Sequence, residues 1–336
     1  MKKPPFTISA KAISMIAEIS ALVERFSISM EQNTHKLRKT NKIKTIHSSL
    51  AIEGNKLSEE QVSDILNGKR VVAPIREIQE VKNAIDTYDN FQSYNPFSIS
   101  DLLKAHFEMM KSLVSNAGKF RTKGVGVFDD KKIVHIAPPA ERVPTLVENL
   151  FEWLEKSEDH LLIKSCVFHY EFEFIHPFLD GNGRIGRLWQ SLILSKLNPV
   201  FQYLPVETMV HNNQQNYYKA INDSSAKNDS GIFVDFMLGE IVKALKEHQN
   251  LDFGRVNGRV NGRVNEILEF IKNNQGSNTN DIANALNISV RTVSRYLKEL
   301  SDIIEFRGAP KNGGYFIKYK RRTLVNIAFA FFYNSC

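Results

Sequence analysis

Apolar residues recur at helical spacing through most of the chain before His248. Ile13, Ile16, Leu22, Val23 and Phe26 form one such stripe and predict a first helix. A second is predicted over residues 40–52, ending at Gly54, where glycine suits a left-handed cap. Ser58-Glu59-Glu60-Gln61 has the pattern of a capping box and opens a third helix that closes near Asn67-Gly68. Further periodic stretches cover residues 75–91 and 99–113, the latter with Ser98 or Ser100 as N-cap. Helices are also predicted over residues 146–154, over the strongly apolar residues 161–174, and from Asn182 past Leu194. Two more, after Val206 and Ile232, carry the chain to about His248. One stretch breaks the helical rhythm. Gly124-Val125-Gly126-Val127-Phe128 and Ile133-Val134-His135-Ile136 flank the polar Asp129-Asp130-Lys131-Lys132, which predicts a β-hairpin.

Beyond His248 the pattern changes. Gly254-Arg255-Val256-Asn257 recurs at residues 258–261 and 262–265. A solenoid unit needs ~20 residues or more, so residues 249–264 are expected to be a linker whose last copy runs into a helix over 266–272. Residues 279–286, a turn at Asn287-Ile288-Ser289, and residues 290–300 then predict helix, turn, helix, with Ile282, Ala283, Leu286, Val293 and Leu297 facing a shared core. Residues 303–306 and 315–318 enclose a polar stretch and predict a two-stranded wing. Residues 265–322 thus resemble a winged helix-turn-helix. The pattern assigns no role to the apolar, aromatic tail at residues 323–336. The expected fold class is mainly α: a helical core with a hairpin, followed by a small winged helix-turn-helix domain.

Composition narrows the class. An apolar fraction of 42% and a charged fraction of 24% are those of a soluble globular protein. No apolar run approaches the ~20 residues that span a bilayer, and Glu18 and Glu24 interrupt the apolar residues after Met1-Lys2-Lys3, which favours an amphipathic helix over a signal peptide. Cys166 and Cys336 cannot build a disulfide framework. A reducing, cytoplasmic setting without a membrane partner is expected. The formal net charge of +7 is unevenly placed: residues 254–322 hold 13 Lys/Arg and 6 Asp/Glu, so all the excess lies there and points to a negatively charged partner.

The chemistry concentrates in His176-Pro177-Phe178-Leu179-Asp180-Gly181-Asn182-Gly183-Arg184-Ile185-Gly186-Arg187. Pro177 disfavours helical geometry at His176, so that imidazole is presented from a turn, largely neutral and able to accept a proton near pH 7. Gly181 and Gly183 allow successive N–H groups to face one concavity, at a helix start that favours anions. Arg184 and Arg187, three apart, project from one helical face. Asp180 is a hard oxygen ligand beside a phosphate site, suited to Mg²⁺. A base, a cation ligand, backbone donors and two anion clamps are the parts that phosphoryl or nucleotidyl transfer requires.

This run resembles the Fic-family signature H-x-F-x-[DE]-G-N-G-R-x-x-R at every specified position. The resemblance implies ATP as substrate and transfer of AMP to a Ser, Thr or Tyr hydroxyl of a target protein or of the chain itself. His176 is then the base, and Asp180 the Mg²⁺ ligand. Asn182 and the backbone of residues 181–184 cradle the phosphates, Arg184 and Arg187 neutralise the departing pyrophosphate, and Phe178 anchors the loop. Glycine at 183, where phosphorylating Doc-type relatives carry lysine, implies AMP transfer. Gly124, Val125, Gly126 and Val127 lie where the family's flap aligns the target as an added strand, and Tyr217 and Tyr218 lie in the region that lines the adenine pocket in relatives. Relatives often dimerise, which implies a homodimer.

Ser49-Leu50-Ala51-Ile52-Glu53-Gly54 resembles the family's inhibitory motif [ST]-x-x-x-E-[GN]. The resemblance implies an ion pair from Glu53 to Arg187 that obstructs the γ-phosphate, with reverse removal of AMP as a further activity. The expected domains are a helical region with the inhibitory motif at 1–98, a Fic core at 99–248, the linker at 249–264, the winged helix at 265–322 and the tail at 323–336. A different class of reading is a DNA-binding regulator whose Fic core senses nucleotide. Arg291, Thr292, Ser294, Arg295 and Lys298 on the second helix of the turn, with Lys311 in the wing, are its candidate contacts to duplex DNA.

Overall fold

The computed structural model describes residues 2–318 apart from 33, 130, 131, 205, 259–261, 302 and 310–312, with side chains also left out at 28–38, 127–136, 248–265 and 299. Lys311 and the apolar tail at 323–336 therefore lie outside the described residues. The chain divides into two compact units, Met1–Asn250 and Leu251–Cys336. No helix among the described residues is long and apolar enough to cross a membrane.

The first unit is helical: α1 (Ala10–Gln32), α2 (Thr34–Ile52), α3 (Glu59–Leu66), α4 (Ile75–Asp89), α5 (Ile99–Met110), α6 (Val143–Lys156), α7 (Leu161–Ile175), α8 (Asn182–Leu197), α9 (Val206–Asn212), α10 (Gln214–Lys227) and the start of α11 (Gly231–Gly258). Strands β1 (Gly126–Asp129) and β2 (Lys132–Ile136) pair antiparallel between α5 and α6, with Gly126 opposite Ile136 and a bulge after Val127. Ser58 and Gln61 form the expected capping box, Gly54 takes φ 91, and Ser98 rather than Ser100 caps α5. The core is built around α7 and α8. Both bury residues on nearly every side, among them Phe168, Phe172, Leu188 and Trp189, which is the pattern of a helix at the centre of a bundle.

Two helical expectations shift. The buried stripe of α1 runs through Ala12, Met15, Ile19, Leu22, Val23 and Phe26, leaving Ile13 62% exposed. Helix α2 begins at Thr34, ahead of the predicted start at residue 40, because the polar residues there carry no apolar periodic signal.

The second unit comprises α12 (Gly262–Asn273), α13 (Thr279–Ala285) and α14 (Val290–Glu299), then β3 (Ile304–Arg307) and β4 (Gly314–Ile317), antiparallel with Ile304 opposite Ile317. Ile267, Ile271, Ile282, Val293, Leu297 and Leu300 make its core. The turn and wing fall where the sequence pattern placed them. Of the Gly-Arg-Val-Asn copies expected as a linker that runs into a helix, the first lies within α11, which extends to Gly258, and the last opens α12 at Gly262. Glycine lowers helix stability by ~1 kcal/mol without breaking a helix, and a four-residue repeat lies close to the helical period.

Candidate active site

Helix α7 ends on His176, which caps it in a left-handed conformation (φ 49, ψ 61) and donates its backbone N–H to Phe172 O. Pro177 allows no helical continuation, so the imidazole is carried at a sharp corner. The chain then turns through Phe178–Gly181 into α8, whose N-cap is Gly181 at φ 87. A side chain at 181 would also meet Met110 Sδ at 2.7 Å, so glycine is required twice over. The first-turn N–H groups of α8 have no helical acceptors and face outward with the positive end of the helix dipole. A helix start of this kind favours an anion.

The loop is held from below. Phe178 is fully buried and stacks on His106 with ring centroids 3.6 Å apart. His106 Nδ1 accepts from Gly118 N at 2.8 Å, so its Nε2–H donates to Asp180 O at 3.0 Å. Burial, helped by Arg184, pushes the His106 pKa down to about 4, against the effect of its bond to Asp180 O, and keeps the ring neutral. Asn182 is 2% exposed, and both ends of its amide are used: Oδ1 accepts from Phe178 N at 2.8 Å, and Nδ2 donates to Phe178 O at 2.9 Å. The Asn182 side chain is thereby committed to the loop, and of this residue the backbone N–H remains for a phosphate. A buried amide must satisfy its donor and acceptor, and here it does so by clamping the loop, leaving the backbone for the anion.

Asp180 is 38% exposed, the most open charged group of the motif. Its Oδ1 accepts from Gly181 N at 2.6 Å and Arg184 Nη2 at 2.8 Å, and its Oδ2 lies 3.7 Å from Arg76. Arg184 is nearly buried, and its Nε has no hydrogen-bond partner, a donor left over for an anionic ligand. Arg187 is fully enclosed. Its Nη2 donates to Glu53 Oε1 at 2.8 Å and to Ser49 O at 3.0 Å, with Ser49 Oγ at 3.4 Å. Burial acts to lower the Arg187 pKa, but Glu53, with smaller contributions from Tyr217 and Glu173, outweighs it and raises the pKa. Glu53 sits just past the C-terminal end of α2 and is brought to α8 across 134 residues of sequence. It fits only because residue 183 has no Cβ, which would stand 2.6 Å from Glu53 Oε1.

Several neighbours carry no sequence signal. Glu173 Oε2 lies 4.0 Å from His176 Nδ1, and its other oxygen fills the space that the missing Cβ of Gly186 leaves. Burial raises the Glu173 pKa to about 7. Beneath Arg187, Glu207 on α9 is 1% exposed. It accepts from Tyr88 Oη at 2.7 Å through one oxygen and has no hydrogen-bond partner at the other. Burial outweighs that bond and the nearby Arg187 and raises the Glu207 pKa to about 7. The unfolded chain releases this proton near pH 4.5 and the folded chain near 7, so stability falls as pH rises through that window. We expect Glu207→Gln to lose less stability than the wild type between pH 5 and 8, by on the order of 2–3 kcal/mol. Urea unfolding across this range checks it, and parallel curves would contradict it. Glu171 and Glu173 act with the same sign in both proteins, so the difference isolates residue 207.

The two tyrosines divide. Tyr217 is 2% exposed, hydrogen-bonds His169 Nε2 at 2.9 Å and packs on Phe233 and Phe236, so its place in an adenine pocket is corrected to one in the core. Tyr218 is 42% exposed and within electrostatic reach of Glu53, Arg187 and Glu173, so it borders the site. Gly124 is exposed and Val125 and Gly126 are half-buried at the start of the hairpin, and among the described residues no third strand pairs with either of its edges. In the second unit, Arg291, Ser294, Arg295 and Lys298 are exposed and Thr292 half-buried, while Val293, Tyr296 and Leu297 turn to the core.

Comparison with known proteins agrees with this geometry. Residues 96–194 match the Fic/DOC family, and residues 263–316 match an HTH domain. A protein adenylyltransferase of Caenorhabditis briggsae, fic-1, is 31% identical over 176 residues, 48% of this chain and 34% of that protein. A probable protein adenylyltransferase of Aquifex aeolicus is 32% identical over 124 residues, 35% of this chain and 32% of that protein. The chain thus spans about a third of the length of these curated relatives. The solved structure of Caenorhabditis elegans Fic-1 (residues 134–508) shares the fold at a TM-score of 0.56 and 22% identity, over 71% of this chain and 72% of that one. A Fic family protein from Desulfovibrio desulfuricans superimposes at a TM-score of 0.73 with 40% identity, over 95% of this chain and 99% of that one. With that likeness along nearly its whole length, and with the complete motif folded around the start of α8, this chain belongs to the Fic family.

Proposed function

We propose that the chain transfers AMP from ATP to a hydroxyl of a protein, its own or a target's, and that Glu53 restrains the reaction. One observation carries this reading: the Glu53–Arg187 ion pair, 2.8 Å long, at the mouth of a helix start shaped for phosphate. The curated relatives named as protein adenylyltransferases support it. His176 takes the hydroxyl proton as the oxygen attacks the α-phosphorus. The bond from that phosphorus to the β-bridging oxygen breaks, and pyrophosphate leaves. The N–H groups of residues 182–184, the spare Nε–H of Arg184 and, once freed, Arg187 neutralise the phosphates.

Asp180 suits Mg²⁺. Among the described residues no three His, Cys, Asp or Glu converge as a cage, but one exposed carboxylate together with phosphate oxygens is a usual way for Mg²⁺ to sit beside a nucleotide. The ion would supply charge neutralisation across the α- and β-phosphates. The segment Gly124–Val127 would align the target's backbone as an added strand, and Tyr218 would border the adenine. Glu53, when displaced from Arg187, would also orient water for removal of AMP. Incubation of the purified chain with MgATP, followed by mass spectrometry of its peptides, tests the reading. An AMP adduct on a Ser, Thr or Tyr supports it, and a phosphate adduct alone contradicts it.

A second activity is favoured by the exposed basic face of α14. We expect residues 265–322 to bind duplex DNA weakly at low salt through Arg291, Arg295, Lys298 and Lys311. Affinity should fall with salt on a log–log scale by about 0.9 per phosphate neutralised. Arg291→Ala with Arg295→Ala should flatten the slope by about two such units. A fluorescence titration that shows no binding at low salt would leave the module as a protein-contact element.

A further inference from the structure

Arg121 is 2% exposed, and among the described residues its guanidinium bonds only carbonyl oxygens. Nε donates to His176 O at 2.8 Å. Nη2 donates to Ile175 O at 3.2 Å and to Pro138 O at 2.5 Å, and Nη1 donates to Lys123 O at 3.0 Å. Its own backbone N–H donates to Pro177 O at 2.9 Å. No carboxylate hydrogen-bonds this guanidinium, Glu141 acting on it only electrostatically and less strongly than burial does, and such burial is costly, so this set of acceptors calls for a reason.

The acceptors fall into two groups. Ile175 and His176 end α7, where the last carbonyls lack helical partners and a cation is favoured. Lys123 and Pro138 are the two feet of the hairpin, one before β1 and one after β2. A helix cap would not need the feet, and a hairpin anchor would not need the carbonyl of His176. That histidine also holds a left-handed conformation, which costs on the order of 1–3 kcal/mol and persists only where its surroundings over-determine it. The rigid fork of arginine, with five N–H donors, satisfies both groups at once. Lysine cannot.

We propose that Arg121 is a positioning residue that fastens the hairpin to the His176 corner, so that the strand aligning a target's backbone and the base facing its hydroxyl keep one register. The role in transfer rests on the AMP-transfer reading above. The coupling itself is a property of this fold.

Hydrogen exchange followed by mass spectrometry on the full chain reads the coupling directly. In the wild type, the hairpin amides and those of residues 121 and 176 should open as one unit with matched protection. In Arg121→Lys both segments should exchange about tenfold faster or more, while α6 and α8 keep wild-type protection. In a Glu53→Gly background the same change should lower the turnover of self-modification about tenfold or more and leave KM for ATP within about twofold, since no phosphate contact is removed. A general loss of stability would instead speed exchange throughout α6 and α8. Independent opening of hairpin and loop in the wild type overturns the proposal, and so does an Arg121→Lys protein with unchanged exchange or unchanged turnover. The wild-type arm decides alone if the variant fails to fold. If Glu53→Gly by itself transfers no AMP, the reaction assignment fails, and the exchange result still decides the coupling.

Discussion

His176→Ala should abolish AMP transfer while leaving the fold and the affinity for ATP close to wild type. The imidazole is carried at the corner between α7 and the loop, and His106, Phe178 and Asn182 clamp that loop from below. The backbone donors at the start of α8, and Arg184, remain in place. Removing a general base costs about 10²- to 10⁴-fold in turnover, and the loss should appear in kcat with KM for ATP little changed. Steady-state kinetics on self-modification, with calorimetric titration of a non-hydrolysable ATP analogue, separates the two quantities. Transfer at the wild-type rate would remove His176 from the mechanism.

Glu53→Gly should act in the opposite direction. Arg187 is enclosed, and Glu53 Oε1 accepts from its Nη2 at 2.8 Å, so a phosphate oxygen competes with a carboxylate already seated. A hydrogen bond between charged partners contributes about 1.5–3 kcal/mol, which corresponds to about a ten- to hundredfold change in the population with Arg187 free. Transfer should rise by a factor of that order. Arg187→Ala in the same chain should cancel the gain, since the freed guanidinium is what the variant supplies. A folded Glu53→Gly protein that transfers no faster than the wild type would show that the ion pair does not limit the rate.

Much of this was legible along the chain because the features are local. The run from His176 to Arg187 gathers most of the groups proposed to handle phosphate in one short stretch, and the helix-turn-helix and wing follow from apolar spacing and turn residues. Gly54, Ser58 and Ser98 marked their helix ends through well-defined cap chemistry. What was not legible is the shell around the motif. His106, Arg121, Glu173 and Glu207 belong to no motif, and their roles arise from contacts that sequence spacing does not encode: Arg121 meets His176 across 55 positions, and Tyr88 meets Glu207 across 119. The burial of the Asn182 and Tyr217 side chains was hidden for a related reason. Residue type alone does not distinguish a polar group facing a ligand from one closing a buried network. The helical Gly-Arg-Val-Asn copies show the weakness of composition as a guide when the spacing of a repeat is itself close to helical.

The most direct test labels ATP at one phosphate at a time. Wild type, Glu53→Gly and Glu53→Gly/His176→Ala are incubated with Mg²⁺ and ATP carrying the label at the α- or the γ-position, and radioactivity is followed on denaturing gels. AMP transfer restrained by Glu53 predicts α-label on protein, faint in the wild type, strong in Glu53→Gly and absent from the double variant, with no γ-label in any lane. Label from the γ-phosphate on Glu53→Gly, or α-label that survives the loss of His176, would contradict it.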